Sequence, residues 1–164
     1  MTIPGRIILV AGGTGIYPFS DFIDLLYKDE LMKKNPAAKD EILNVSPILQ
    51  TNPFKDFTFE MLAAFQHIED MHVITLEQMI FLAETGRMKI TFKFREDPQG
   101  KVQESANIKF IRENFESVLA EKVGQGDVSR VWICGPPGMN INVSKFLRET
   151  YNNPDLYLIV WNPY

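Results

Sequence analysis

Cysteine is almost absent from this chain: there is one, Cys134, in 164 residues. A single thiol closes no internal disulfide and builds no cysteine zinc cage. Histidine is scarce too. The only two, His67 and His72, are not at the i, i+4 spacing that puts two ligands on one helix face, so no metal centre is expected. Positive charge is not in excess: Lys+Arg number 17 against 21 Asp+Glu, a net charge of −4. A nucleic-acid backbone is held by clustered cations, so that class of partner is set aside. A small anion is not, because backbone N–H groups and one or two cations suffice to hold a phosphate. Long apolar runs are missing as well. Ile7–Ala11 falls far short of the ~20 residues of a membrane helix. Met1–Arg6 lacks the basic-then-apolar layout of a secretory leader. A cytoplasmic domain with no direct membrane insertion is therefore expected. There is no internal repeat and no low-complexity tract.

What remains is an ordinary folding composition, 45% hydrophobic and 23% charged, which fits one domain over residues 1–164 and excludes a disordered chain. Arg6–Ala11 is a continuous apolar run closed by Gly12–Gly13, the signature of a strand buried on both faces. It starts so early that the chain is expected to be cut from something longer or to follow another domain directly. From Pro18 to Lys34 the apolar residues recur at helical spacing, and Pro18 suits a first helical turn. Asn35–Asp56 is polar, with three prolines, and reads as a long surface connection or insertion with room for a short helix. Phe57–Phe65 is a second strand candidate. Thr75–Glu84 is helical, stopped near Gly86. Met88–Phe94 alternates as a third strand, followed by a turn at Asp97–Gly100. Asn107–Lys122 predicts a helix with Ile108, Ile111, Phe115, Val118 and Leu119 inward. Val131–Cys134 is a fourth strand, Met139–Tyr151 a helix, and Leu156–Trp161 a final strand. Strands alternating with helices predict an α/β fold, a doubly wound Rossmann-like parallel sheet of about five strands with helices on both faces.

In such sheets ligands bind beyond the carboxyl ends of the strands. Both glycine clusters follow a strand. Gly12–Gly13–Thr14–Gly15 leads into a helix, an arrangement whose free N–H groups and dipole suit a phosphate. It is neither G-x-G-x-x-G, since Pro18 takes the third glycine's place, nor a P-loop. Alone it serves equally as a tight strand-to-helix turn. The second cluster, Cys134–Gly135–Pro136–Pro137–Gly138, is stiffened by two prolines. A rigid loop there suits a platform for a flat ring, and Cys134 can offer it a polarizable sulfur or simply be a small buried hydrophobe.

Together, G-G-T-G-I-x-P from Gly12 to Pro18 and C-G-P-x-x-M from Cys134 to Met139 resemble the NAD(P)-binding domain of the ferredoxin–NADP reductase superfamily, ferric reductases and NADPH oxidases included. The resemblance covers most of the chain. It implies NADPH or NADH as cofactor. Gly13, Thr14, Gly15 and Ile16 would lie along the pyrophosphate and nicotinamide ribose. Cys134 would be the catalytic-centre residue near nicotinamide C4, with Gly135, Pro136, Pro137 and Met139 around the ring. Gln66 and His67 would lie near the adenosine half, and Phe94–Arg95 at the adenine ribose. Arg95 and Lys101 could pair with a 2′-phosphate, whereas Glu96 or Asp97 would favour NADH; the balance leans to NADPH. Two departures stand out: Phe94 replaces the usual Ser or Thr before the arginine, and Tyr17 replaces a small residue. The family's flavin-binding β-barrel, which would hold FAD, has no counterpart here. The chain thus reads as the C-terminal half of a flavin oxidoreductase, with a flavin domain of the same parent as partner and an undefined downstream acceptor. A C-terminal aromatic, Trp161 or Tyr164, could cover the flavin or merely close the core. Two other readings stay open: a non-catalytic nucleotide-binding or assembly module that kept the pocket, and a doubly wound domain for another small ligand.

Overall fold

The computed structural model describes residues 5–160 other than 52, 97 and 99; the expectations for Asp97, Trp161 and Tyr164 fall outside them. Ile8, Leu9 and Val10 have no exposed surface, as a strand sandwiched between two helix layers requires. They belong to β1 (Gly5–Gly12), the centre of the sheet. A one-turn 3-10 segment, Gly13–Ile16, leads into α1 (Tyr17–Lys34), which buries Phe19, Ile23 and Leu26. After the short α2 (Lys39–Val45) the chain enters β2 (Phe57–Phe65), then α3 (Val73–Glu84) and β3 (Met88–Phe94). β4 (Ile108–Phe110), α4 (Phe115–Gly124), β5 (Val128–Cys134), α5 (Pro137–Tyr151) and β6 (Tyr157–Ile159) complete the order. The six strands found among the described residues are all parallel, in the order β4-β3-β2-β1-β5-β6. The doubly wound parallel sheet expected from the sequence is therefore present, with one strand more than the five counted there.

Alternation along β1 divides the core. Ile7, Leu9 and Ala11 pack with residues of α1 and α3 on one face. Ile8 and Val10 pack with residues of α4 and α5 on the other. α1 and α3 lie side by side, joined by a hydrogen bond from Gln78 Nε2 to Asp24 Oδ1 (2.8 Å) and by the Tyr27 and Phe81 rings, 5.0 Å apart.

The stretch between α1 and β2 does contain a short helix, and it is anchored rather than loose. Ile42 and Leu49 are buried. The Phe54 ring sits edge-on to Phe22 at 5.2 Å, and Arg87 donates to the carbonyls of Phe54 and Phe57 at 2.9 Å each.

The expectation of one helix over 107–122 is corrected. Ile108, Lys109 and Phe110 pair with Ile90, Thr91 and Phe92 as a parallel edge strand, and the helix begins only at Phe115. Apolar residues at 108, 110 and 111 satisfy a period of two as well as one of 3.6. The ladder offered by β3 decides between them. Consequently Arg112, Glu113 and Asn114 form a loop at the carboxyl end of β4, where a helix would have turned them differently. The crossover from β3 to β4 holds no helix among its described residues.

Candidate functional site

The chain runs β1 to β4 outward on one side, then returns past β1 to place β5 on its other flank. Ala11 stands opposite Cys134 in that pairing, so the two glycine turns leave the sheet side by side at the switch point. Each glycine has its own reason. Gly13 has φ +53° and open space where a side chain would project. A Cβ on Gly12 would lie 2.7 Å from Met139 Sδ and 3.0 Å from Pro136 Cδ, so the two turns touch through it. A Cβ on Gly15 would run into the Cys134 carbonyl, and one on Gly135 into the Met139 methyl. In the first turn of α5, the buried Asn140 donates from Nδ2 to the Gly135 carbonyl (2.9 Å) and so fixes the second turn.

From this junction a cleft of about 800 Å³ crosses the carboxyl ends of β1, β2 and β3, within the usual range for ligand pockets. Gly12 and Gly13 lie at one end, Ala64, Phe65 and Gln66 follow, and Pro136, Met139 and Val143 of the second turn and α5 form a wall. Three cations, Lys93, Arg95 and Arg112, stand with Phe94 along the β3–β4 side, with Asp70 and Glu116 also on the lining. A smaller cavity of about 200 Å³ adjoins it, sharing Phe94, Arg95 and Arg112 and adding Glu96 and Phe110.

Of the residues singled out in the sequence, Gly12, Gly13, Gln66, Phe94, Arg95, Pro136 and Met139 line the cleft. Thr14 is exposed, Gly15 and Ile16 are buried, Pro18 is half-buried, and Gly135 and Pro137 build the second turn. Tyr17 is 53% exposed. Cys134 is 2% exposed and packs with the α1–α3 face of the core; its side chain is not on the cleft lining. His67 and Lys101 are engaged elsewhere. His67 Nδ1 lies 3.1 Å from Glu96 Oε2, and Lys101 pairs with Glu69. The hydrogen bond from Lys101 holds the Glu69 carboxyl below the usual carboxylate range.

The sequence reading missed Lys93, Arg112 and Asn114. The Lys93 signal was there, a polar residue alternating within a strand, and it points to the α4–α5 side at the strand's end. Arg112 and Asn114 were hidden by the helix assigned over them. Lys93 Nζ donates to Asn114 Oδ1 at 3.3 Å, tying β3 to the loop after β4.

The donor set fits a dinucleotide: an open glycine turn, two adjoining helix N-termini, an apolar wall and a cationic end. Among the described residues no group of His, Cys, Asp and Glu could hold a metal ion, and no helix is long and apolar enough to cross a membrane.

No protein-family model matches the chain, and no curated protein matches it in sequence. Solved structures do. The cytochrome b5 reductase domain of Ulva prolifera nitrate reductase matches over 93% of this chain and 43% of its own, at 15% identity and a TM-score of 0.42. The CS-b5R domains of human Ncb5or, in an NAD+ form, match over 94% of this chain at 14% identity and a TM-score of 0.53. This chain spans 36% of that one. The likeness to the Ncb5or structure, with the parallel sheet, shows the fold: a doubly wound, Rossmann-like α/β fold.

Proposed function

We propose that this domain binds NADPH or NADH and presents nicotinamide C4 to a flavin held by a separate domain of an electron-transfer oxidoreductase. The observation that carries this reading is the meeting of the two glycine turns at the β1–β5 switch point, at the head of a cleft that ends in three cations. When bound, the dinucleotide supplies a hydride at C4. The chain supplies position. Backbone N–H groups of the Gly12–Gly15 turn and the start of α1 face the pyrophosphate. The Gly135–Pro136 turn, stiffened by proline and fixed by Asn140, seats the ring beside Met139. Cys134 backs that turn from within the core rather than from the cleft. Arg95, with Lys93 and Arg112, takes a 2′-phosphate and favours NADPH. The flavin domain, FAD and the downstream acceptor belong to the same proposal.

The test uses the isolated chain and ligand-observed NMR with NADPH and NADH. Gly13→Asn is the informative variant, because asparagine tolerates positive φ and a Cβ at Gly13 meets no atom within 4 Å beyond its chain neighbours. The fold should persist by circular dichroism while affinity for either nucleotide falls about tenfold, equivalent to ~1.4 kcal/mol. Failure of both nucleotides to bind at millimolar concentration overturns the reading. The burial of Cys134 in the core favours, as a second reading, a module that retains the pocket without turnover. Binding with no NAD(P)H-dependent reduction of an intact parent's flavin would select it.

A further inference from the structure

Three buried side-chain polar atoms have no hydrogen-bond partner among the described residues: Nε of Arg6, Nε of Arg87 and Oδ1 of Asn140. The two arginines use their other nitrogens. Arg6 donates to Glu60, Asp127 and the Lys122 carbonyl, and Arg87 to the carbonyls of Phe54 and Phe57. Asn140 is different. It is a neutral side chain, 1% exposed, in the first turn of α5. Its Nδ2 donates to the Gly135 carbonyl at 2.9 Å. That bond settles the amide orientation, since an oxygen in its place would repel the carbonyl. Oδ1 is then left buried and unpaired. A buried acceptor without a donor destabilises the folded chain, and asparagine is a weaker helix former than leucine. Both costs work against the one bond that Asn140 makes, so stability does not account for this residue.

What the bond holds is the peptide between Gly135 and Pro136. Proline has no N–H, so the Gly135 carbonyl is the one polar group by which that unit can be gripped. Glycine leaves it free to rotate when it is not. The first turn rests against this unit. A Cβ on Gly15 would lie 2.7 Å from Gly135 Cα, and one on Gly12 3.0 Å from Pro136 Cδ. A Cβ on Gly135 would lie 3.1 Å from the Gly12 nitrogen. Gly12, Gly13, Pro136 and Met139 are all on the cleft lining.

We propose that Asn140 is a positioning residue for the whole glycine junction. By holding the Gly135 carbonyl it aligns the Gly135–Pro136 peptide and, through it, the turn at residues 12–15, so that both turns meet a nicotinamide dinucleotide already in place. A junction that samples other orientations binds in proportion to the fraction in the competent one. The dinucleotide rests on the function proposed above; the alignment of the two turns rests on their contacts alone.

The test compares the unmodified chain with Asn140→Leu and Asn140→Ala. In the ligand-free variants the backbone N–H resonances of Gly12, Gly13 and Gly15 should split or broaden, while those of Arg6 and Asp127, at the amino end of the sheet, stay single. NADH affinity should fall about two- to tenfold, the share of competent junctions lost with one hydrogen bond. The urea midpoint of Asn140→Leu should stay near that of the unmodified chain, because removal of the unpaired acceptor offsets loss of the bond. A structural asparagine gives the reverse: a lowered midpoint, with sharp glycine resonances and full affinity in the folded fraction. That result overturns the proposal, as does failure of both variants to fold. If the unmodified chain binds neither NADH nor NADPH, the function proposed above falls, and the glycine resonances still decide the alignment.

Discussion

Gly13 and Gly15 belong to one turn and are glycine for different reasons. Gly13 needs a left-handed backbone and has space around it; Gly15 needs the space itself, because the Cys134 carbonyl occupies the place of a side chain. Gly13→Ala should therefore cost about 1 kcal/mol, the strain of positive φ. Gly15→Ala should cost more, about 1–3 kcal/mol, since backbone must shift to admit it. Urea unfolding of the two variants checks the order. The glycines were legible in the sequence as a turn. Which of them is required by conformation and which by contact was not, because the contact comes from a strand more than a hundred residues away. Lys101 teaches the same lesson from the other side. Its charge and position fitted a phosphate, yet Glu69 holds it. That pairing depresses the Glu69 pKa, so the stability it adds is present above the ordinary carboxylate range. It is lost as pH falls through the lowered folded-state value. Lys101→Gln should move the Glu69 titration upward, visible in its carboxyl ¹³C shift.

At the scale of elements, the boundary between β4 and α4 matters most. The segment Ile108–Ile111 carries an apolar pattern that suits helix or strand, and local periodicity cannot choose. The free edge of β3 chooses, through the pairs Ile90–Ile108 and Phe92–Phe110. The strand's end then delivers Arg112 to the rim of both cavities. If Arg112 contributes to a 2′-phosphate site, Arg112→Ala should weaken NADPH binding about tenfold, as loss of a hydrogen bond to a charged group does. NADH binding should stay nearly unchanged; equal weakening of both would remove Arg112 from nucleotide discrimination. Elements with a strong, unambiguous pattern were read closely. β2 and β3 have the ends assigned from sequence, and α1 differs by one residue at its start.

Across the whole molecule the two edges of the sheet differ. The carboxyl edge carries the cleft. The amino edge is closed by a compact ion cluster. Buried Arg6 donates to Glu60 (2.6 Å), to Asp127 (2.6 Å) and to the Lys122 carbonyl (2.7 Å), and Lys122 pairs with the other Glu60 oxygen. These residues come from β1, β2, α4 and the turn before β5, so the cluster ties four segments together. Glu60→Ala leaves Arg6 and Lys122 without their shared carboxylate, and should destabilise the domain by about 3 kcal/mol, measurable by urea melting. Nucleotide binding at the opposite edge should survive in the folded fraction.

The sequence by itself determined the alternation of strands and helices, the burial of β1 on both faces and the presence of a glycine turn after two separate strands. These are local properties: apolar period, β-branched content, and the backbone demands of glycine and proline. Only the tertiary structure decided that β1 lies between β2 and β5, which brings the two turns into contact. It also decided that Arg112 reaches the cleft while Lys101 does not, and that Arg6 finds Glu60 and Asp127. Each of these depends on which strand pairs with which. Parallel pairing joins residues far apart in the chain, so no window of sequence contains the choice.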